Sequence, residues 1–376
     1  MQKTTEAPPD SLPAFSKKLG GEIVKITNTT LAVEGKQLRV NVVTAATDDD
    51  AETIYKAILK MHGNPAFCIQ RGCDVIEFTS NDYPLVKRAH YALGLKPPTI
   101  AYRVSLTVAA IDKIDYMQSN EAFNLVLRLA DAPKDSAASK RLQTIVSATE
   151  FGRAIHLRSL GVAAISIAPK PTATEQTTTG GITAYRFDPK ALFKQYGIPY
   201  ATVSATITVT AFHDDATDRK ADRTLTSPTP FWPSDDARIK QIAQEAVADT
   251  QTDEDKVAAI LNWVAANVKY GGDVTGSRYG VKKVLAQGYG HCWDSSDVFV
   301  TLCRAAGIPC RQVGGWLYGQ TGHIWAEVLI AGKGWRQVDP QANARCDTDY
   351  IPWFTTENGE MPIVYMSLPR IEIVKP

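Results

Sequence analysis

The stretch "GHCWDSSDVFVTLCRAAGIPCRQVGGW", Gly290 to Trp316, decides how the rest of the chain is read. It sets a cysteine two residues after a glycine and directly before a tryptophan, at the start of a helix expected over Trp293 to Ala306. Gly307 is available for a left-handed cap, and Pro309 lies just beyond it. Cysteine usually sits in a core, and Cys303, on the apolar side of this helix, is expected to do so. Cys292 instead falls on the first turn. There the unpaired N–H groups carry about half a positive charge, which stabilises an anion, a thiolate included. Gly288 and Gly290 suit a tight turn that a substrate backbone can approach.

A nucleophilic cysteine needs a base, and the base needs a group to orient it. His323 opens the strand "HIWAEVLI" and lies 31 residues downstream of Cys292. Asp339 closes the strand "GWRQVD", with Pro340 ending it. The two strands are joined by "AGKG" and pair antiparallel, so the start of the first lies beside the end of the second. His323 and Asp339 are therefore expected at the same edge of one hairpin.

These residues resemble the transglutaminase-like superfamily, a branch of the papain-like cysteine hydrolases. The resemblance rests on Gly290 and Cys292, the "RAAGIPCR" run, His323 with Trp325 two residues on, Trp335, and Asp339-Pro340. It spans about 235 to 345. It implies Cys292 as nucleophile, His323 as base and Asp339 as orienting acid, within a papain-like domain whose helix-borne cysteine packs on an antiparallel sheet. His291 stands where eukaryotic crosslinking transglutaminases carry glutamine. Their calcium-binding acidic segments and flanking barrels are not recognisable either. That favours a bacterial-type hydrolase, a peptidase or amidase working through a thioacyl-enzyme. The alternatives are a transamidase that joins an amine to a glutamine carboxamide, and an inactive protein-binding module. The oxyanion would be held by the Cys292 N–H and one further donor, for which Trp263, Tyr270 and His291 are candidates. Trp316, Tyr318 and Trp325 are candidates for a groove wall, or else for core. Asp294 is expected to serve the helix N-terminus rather than a substrate.

The remainder of the 376 residues reads as α+β. Residues 1–20 are polar and proline-containing, and are expected to be flexible. Strands at 22–46, a helix from Asp48, a hairpin around Arg71-Gly72, a helix closed by Gly94 and a strand from Thr99 make a small α+β domain over 21–115. Residues 116–230 suggest a β-rich region built from "LQTIVSATEFGRAIHLRS", "VAAISIA", "ITAYRF" and "YATVSATITVTAF". Pro169 to Gly181 is expected as a mobile loop, and residues 213–236 as a linker. From 231 the pattern turns helical, with Thr252 and Asp255 forming a weak capping box ahead of Val257, Ile260, Leu261 and Val264.

With 44% apolar and 22% charged residues and a net charge of +1, the chain has no basic stripe of the kind nucleic-acid binders carry. No apolar run approaches the ~20 residues of a membrane span. The start shows no secretory signal, yet a polar, flexible start is also typical of a mature chain whose signal has been cleaved. That favours an exported protein over a cytoplasmic one. The expected partner is a protein or peptide substrate, with no cofactor or metal. Cys68 and Cys73 lack the second pair or nearby histidines of a zinc site, and read as buried thiols or one local disulfide. His62, His90, His156 and His213 are scattered, without ligand spacing.

Overall fold

The computed structural model describes residues 2–33, 36–62, 67–81, 85–86, 89–90, 99–113, 116–129, 136–152, 154–158, 162–176, 182–210, 214–215, 223–274, 276–320, 322–361 and 364–374. These fall into two compact units, Met1–Ile100 and Ala101–Pro376. The helix expected to close at Gly94 lies largely outside the described residues, as does His213.

The first unit is a five-stranded antiparallel sheet of β1 (Gln2–Glu6), β2 (Ile23–Val33), β3 (Lys36–Ala45), β4 (Cys68–Arg71) and β5 (Asp74–Thr79), in the order β1-β2-β3-β5-β4. Helices α1 (Leu12–Leu19) and α2 (Asp48–His62) accompany it. The three acids that open α2 favour a helix N-terminus, and Ala51, Ile54 and Ile58 turn one face into a core with Leu19, Ile26, Val43 and Val75. The expectation of a flexible residue 1–20 segment is corrected here. The five residues of β1 pair in register with β2, and Leu19 of α1 is buried in that core. Polar composition hid both, because β1 is an edge strand whose side chains from Lys3 to Glu6 are exposed and need not be apolar. Cys68 and Cys73 are free thiols, the first buried and the second half-buried.

The second unit begins with β6 (Thr99–Ala109), β7 (Ile111–Lys113), α3 (Tyr116–Leu129), α4 (Ala137–Ala148), β8 (Glu150–Phe151), β9 (Ala154–Arg158) and β10 (Val162–Ala168). It continues through β11 (Ala173–Gln176), β12 (Ile182–Arg186), β13 (Phe193–Gln195), β14 (Ile198–Thr210) and β15 (Asp214–Asp215). Next come α5 (Ala237–Ala246), α6 (Asp253–Asn267), β16 (Lys269–Tyr270), α7 (Val281–Gln287), β17 (Tyr289–Gly290) and α8 (Cys292–Ala305). The last strands are β18 (Cys310–Leu317), β19 (Gly322–Ile330), β20 (Gly334–Asp339), β21 (Ala344–Arg345), β22 (Tyr350–Thr356), β23 (Val364–Tyr365) and β24 (Arg370–Ile373). One sheet runs β15-β20-β19-β18-β22, a second β10-β14-β6-β23, a third β11-β12-β9. The capping box at Thr252 and Asp255 forms as the sequence suggests, with both reciprocal bonds present. Its helix buries Val257, Ile260, Leu261 and Val264 in the main core, together with Val298, Phe299 and Leu302 of α8 and Val328 and Val338 of the sheet.

Several expectations for 101–236 differ from what is found. The strand from Thr99 is part of the sheet β10-β14-β6-β23. It lies between β14 and the C-terminal strands β23 and β24. "LQTIVSA" is helix rather than strand. Ser136 caps it, its Oγ accepting from the Ser139 N–H at 3.2 Å, and Leu142 and Ile145 are buried three residues apart. Four residues of the expected mobile loop form β11, paired with β12 in register. The expected linker contains Leu225 and Trp232, at 1% and 0% exposure. The Trp232 indole N–H donates to Asp297 of α8 at 2.7 Å.

Arg158 of β9 reaches Glu327 of β19 at 2.6 Å, and Arg311 of β18 meets the same carboxylate at 2.9 Å, all three buried. Burial works against the Glu327 charge. The two guanidiniums outweigh it and hold its pKa down at about 2. Their stabilisation is therefore present above the ordinary carboxylate range and is lost only as pH falls through about 2. Glu327→Ala removes the buried carboxylate that the two cations share, at a cost of about 3–5 kcal/mol. It is expected to lower the midpoint of the second unit's urea transition at pH 7, and an unchanged midpoint would contradict the assignment.

Candidate active site

Helix α8 begins at Cys292, with His291 as its N-cap residue. Asp294, on the first turn and fully buried, accepts from the His291 N–H at 3.0 Å, the Tyr279 N–H at 2.7 Å and the Ser277 hydroxyl at 2.8 Å. Burial raises its pKa against the pull of these donors. Ser277 Oγ, having given its one proton to Asp294, accepts from His291 Nδ1 at 2.8 Å, which fixes the tautomer of that ring. A Cβ on Gly290 would lie 2.4 Å from the Asp294 Cβ. The glycine is thus required by the carboxylate that closes the turn, not by access for a substrate backbone. Asp294 serves the helix N-terminus, as its position suggests.

Strand β19 carries His323 to this helix end. Ala326 pairs with Val338 in the β19–β20 ladder, so β19's start and β20's end share one edge. There His323 Nε2 lies 2.8 Å from Asp339 Oδ2. Asp339 Oδ2 also accepts from the Tyr350 hydroxyl at 2.8 Å, and Oδ1 from the Gln341 and Ala342 N–H groups at 2.9 and 3.3 Å. Burial opposes the Asp339 charge, but His323 and these donors lower its pKa. Burial, then the Asp339 charge, raise the pKa of Tyr350, which stays a phenol donor. The Cys292 thiol lines the same cleft as His323 and acts on its ring. Burial disfavours the imidazolium, yet Asp339 and Cys292 prevail and raise its pKa to about 10. Trp325 lies nearly parallel to the His323 ring, centroids 6.1 Å apart, and its indole N–H is anchored on Gln337 at 2.8 Å.

Cys292 is half-buried and opens with His323 into a cleft of about 190 Å³. The remaining sequence candidates separate. Tyr270 is 65% exposed and meets His291 edge-on at 5.0 Å, beside the β16–β17 pairing that sets it opposite Gly290. Trp263 packs on the main core and lines a surface groove with α5 and α7, away from Cys292, so it is corrected as an oxyanion candidate. Trp316 and Trp325 are 4% and 0% exposed and belong to the interior rather than to a groove wall. Tyr318 lies tilted against Tyr102, ring centroids 5.2 Å apart. The walls are instead Phe123 of α3, Trp293, Ile324, Phe354, Met361 and Tyr365. Neither these nor Tyr350 were singled out from sequence. Gly315, opposite His323 in the β18–β19 register, also lines the cleft. A Cβ there would lie 1.9 Å from the Ile351 carbonyl oxygen.

A helix-borne thiol facing a strand-borne imidazole–carboxylate pair is the kind of site found in thiol-dependent enzymes. Residues 240–340 match the family model of the transglutaminase-like superfamily, and the described residues form a mixed α+β fold. An uncharacterised protein of Haemophilus influenzae is 30% identical over 132 residues, covering 28% of this chain and 36% of that relative. The chain thus spans about a third of the length of the curated relative it matches. A candidate cysteine protease from Cytophaga hutchinsonii superposes with a TM-score of 0.42 at 13% identity, covering 74% of this chain and 91% of that one. The periplasmic domain of TgpA from Pseudomonas aeruginosa, bound to ethylmercury, gives 0.34 at 17% identity, covering 67% and 93%. Among the described residues no helix is long and apolar enough to cross a membrane. Nor do they contain a group of three or more His, Cys, Asp or Glu placed to hold a metal ion.

The raised pKa of His323 has a direct check. Its ring is expected to stay protonated through neutral pH and to titrate near about 10 by NMR. Asp339→Asn removes the partner that offsets burial, so the transition is expected to fall by several pH units. A titration that Asp339→Asn leaves in place would contradict the pairing.

Proposed function

We propose that the protein is a cysteine peptidase or amidase in which Cys292, His323 and Asp339 act as a triad. The observation that supports this reading is that Cys292 and His323 line one cleft, with the His323 imidazole bonded to the Asp339 carboxylate. Cys292 Sγ, as thiolate, attacks an amide carbonyl carbon and forms the C–S bond. His323 as imidazolium gives its proton to the departing nitrogen as the C–N bond breaks, leaving a thioester. Water then adds to the thioester carbonyl and gives a proton to His323. The C–S bond breaks, and the carboxylic acid leaves. The carbonyl oxygen takes charge beside the Cys292 N–H, at a helix position that has no intrahelical partner. Asp339, held by Tyr350 and two backbone N–H groups, keeps the imidazole oriented and favours its charged form.

A peptide mixture incubated with the protein and a labelled primary amine tests the reading by mass spectrometry. New carboxyl termini are expected, reduced about 10⁴-fold or more in Cys292→Ala, the scale seen when one member of such a unit is removed. Amine incorporation in place of free acid would make the enzyme a transamidase. Products identical in wild type and Cys292→Ala would leave a binding module.

A further inference from the structure

The cleft that Cys292 and His323 share is roofed by parts of the chain outside the 240–340 segment. Asn120 and Phe123 come from α3, Met361 and Tyr365 from the C-terminal stretch. Phe123 meets the Tyr365 ring edge-on at 6.4 Å, and Tyr365 lies tilted against Trp316 at 5.6 Å. Tyr365 is half-buried, and desolvation of its hydroxyl raises its pKa, so it stays a neutral phenol. Among the described residues that line the cleft, none beyond Cys292 and His323 carries a charged side chain, and Asn120 is the one amide. Its volume of about 190 Å³ falls below the ~300–1,000 Å³ of sites that enclose a whole small molecule. It has room for part of a substrate, on the scale of one side chain.

Resting on the hydrolase reading above, we infer that this cleft is the specificity pocket for a large apolar or aromatic side chain on the acyl side of the scissile amide. The acyl side follows from the chemistry. When the amine departs, the acyl portion stays bonded to Cys292 Sγ, and that sulfur opens into this cleft. A carboxylate or ammonium in the same place would be stripped of water with only the Cys292–His323 pair, whose charges already offset each other, to meet it. An aromatic ring there gains contacts with Phe123, Phe354 and Tyr365. The α3 helix, which carries none of the reacting groups, thereby selects the substrate.

Peptidyl vinyl sulfones test the pocket without knowledge of the natural substrate. The thiolate adds to the β-carbon, a proton goes to the α-carbon, and no group leaves. The second-order labelling rate of Cys292 is measured for probes bearing Phe, Leu, Asp or Lys next to the electrophile. Each rate is divided by the same protein's iodoacetamide rate. Phe and Leu probes are expected to react at least tenfold faster than Asp and Lys probes. Phe123→Ala is expected to reduce that preference at least threefold. Asn120→Asp is expected to raise the relative rate of the Lys probe. Equal rates for all four probes, with iodoacetamide still labelling Cys292, would overturn the pocket and leave the hydrolase reading standing. Failure of iodoacetamide to label Cys292 would instead overturn the hydrolase reading on which the pocket rests. A Lys probe unmoved by Asn120→Asp would place that residue outside the pocket.

Discussion

The site depends on α8 lying buried along its length against β18 and β19 while starting with a thiol at its free end. Burying a helix on nearly all sides means burying its polar residues too, and each must then be partnered. Asp297 meets the Trp232 indole at 2.7 Å, Gln312 at 2.7 Å and Arg278 through two nitrogens. Ser296 donates to the Trp325 carbonyl at 3.0 Å, two residues along β19 from His323. Arg304, with a pKa that burial lowers to about 10, reaches three backbone carbonyls near the other end. With both its height and its rotation on the sheet fixed in this way, Cys292 has one place to be, beside the first residues of β19.

The same logic explains the residues framing the nucleophile. Asp294 gathers two backbone N–H groups and a hydroxyl into the first turn, which leaves no volume for any side chain at 290. His291 does not act on the thiol through Nδ1, since Ser277 occupies that nitrogen. At the far side of the sheet the Arg158–Glu327–Arg311 cluster ties β9 to β18 and β19. The β-rich segment is therefore bonded to the sheet that carries His323, rather than strung beside it on a linker.

What could be read from the sequence was local. The helix bearing Cys292, the capping box at Thr252 and the hairpin that joins His323 to Asp339 each come from spacing within about twenty residues. Hairpin geometry alone was enough to put imidazole and carboxylate together. What was missed depends on distant pairings. Tyr350 reaches Asp339 from β22, and nothing in "DTDYIPW" marks one tyrosine as a donor to a carboxylate on another strand. Strand β6 looked like the end of the first domain because its partners lie about 100 and 260 residues onward. Trp316 and Trp325 alternate as groove residues would, but the close approach at Gly314 and Gly315 lets β22 cover them. Phe123 reads as an ordinary apolar helix residue until α3 is seen over the cleft.

If Cys292 and His323 act as one chemical unit, the thiol must depend on the imidazole for its reactivity. That dependence is measured by the rate of Cys292 alkylation by iodoacetamide from pH 5 to 10, located by peptide mass spectrometry, in wild type and in His323→Ala. Selective labelling of Cys292 is expected at about pH 6, ahead of the buried thiols Cys68, Cys303, Cys310 and Cys346, and is expected to collapse when His323 is removed. Labelling at pH 6 no faster than Cys346, or unchanged by His323→Ala, would contradict the pairing.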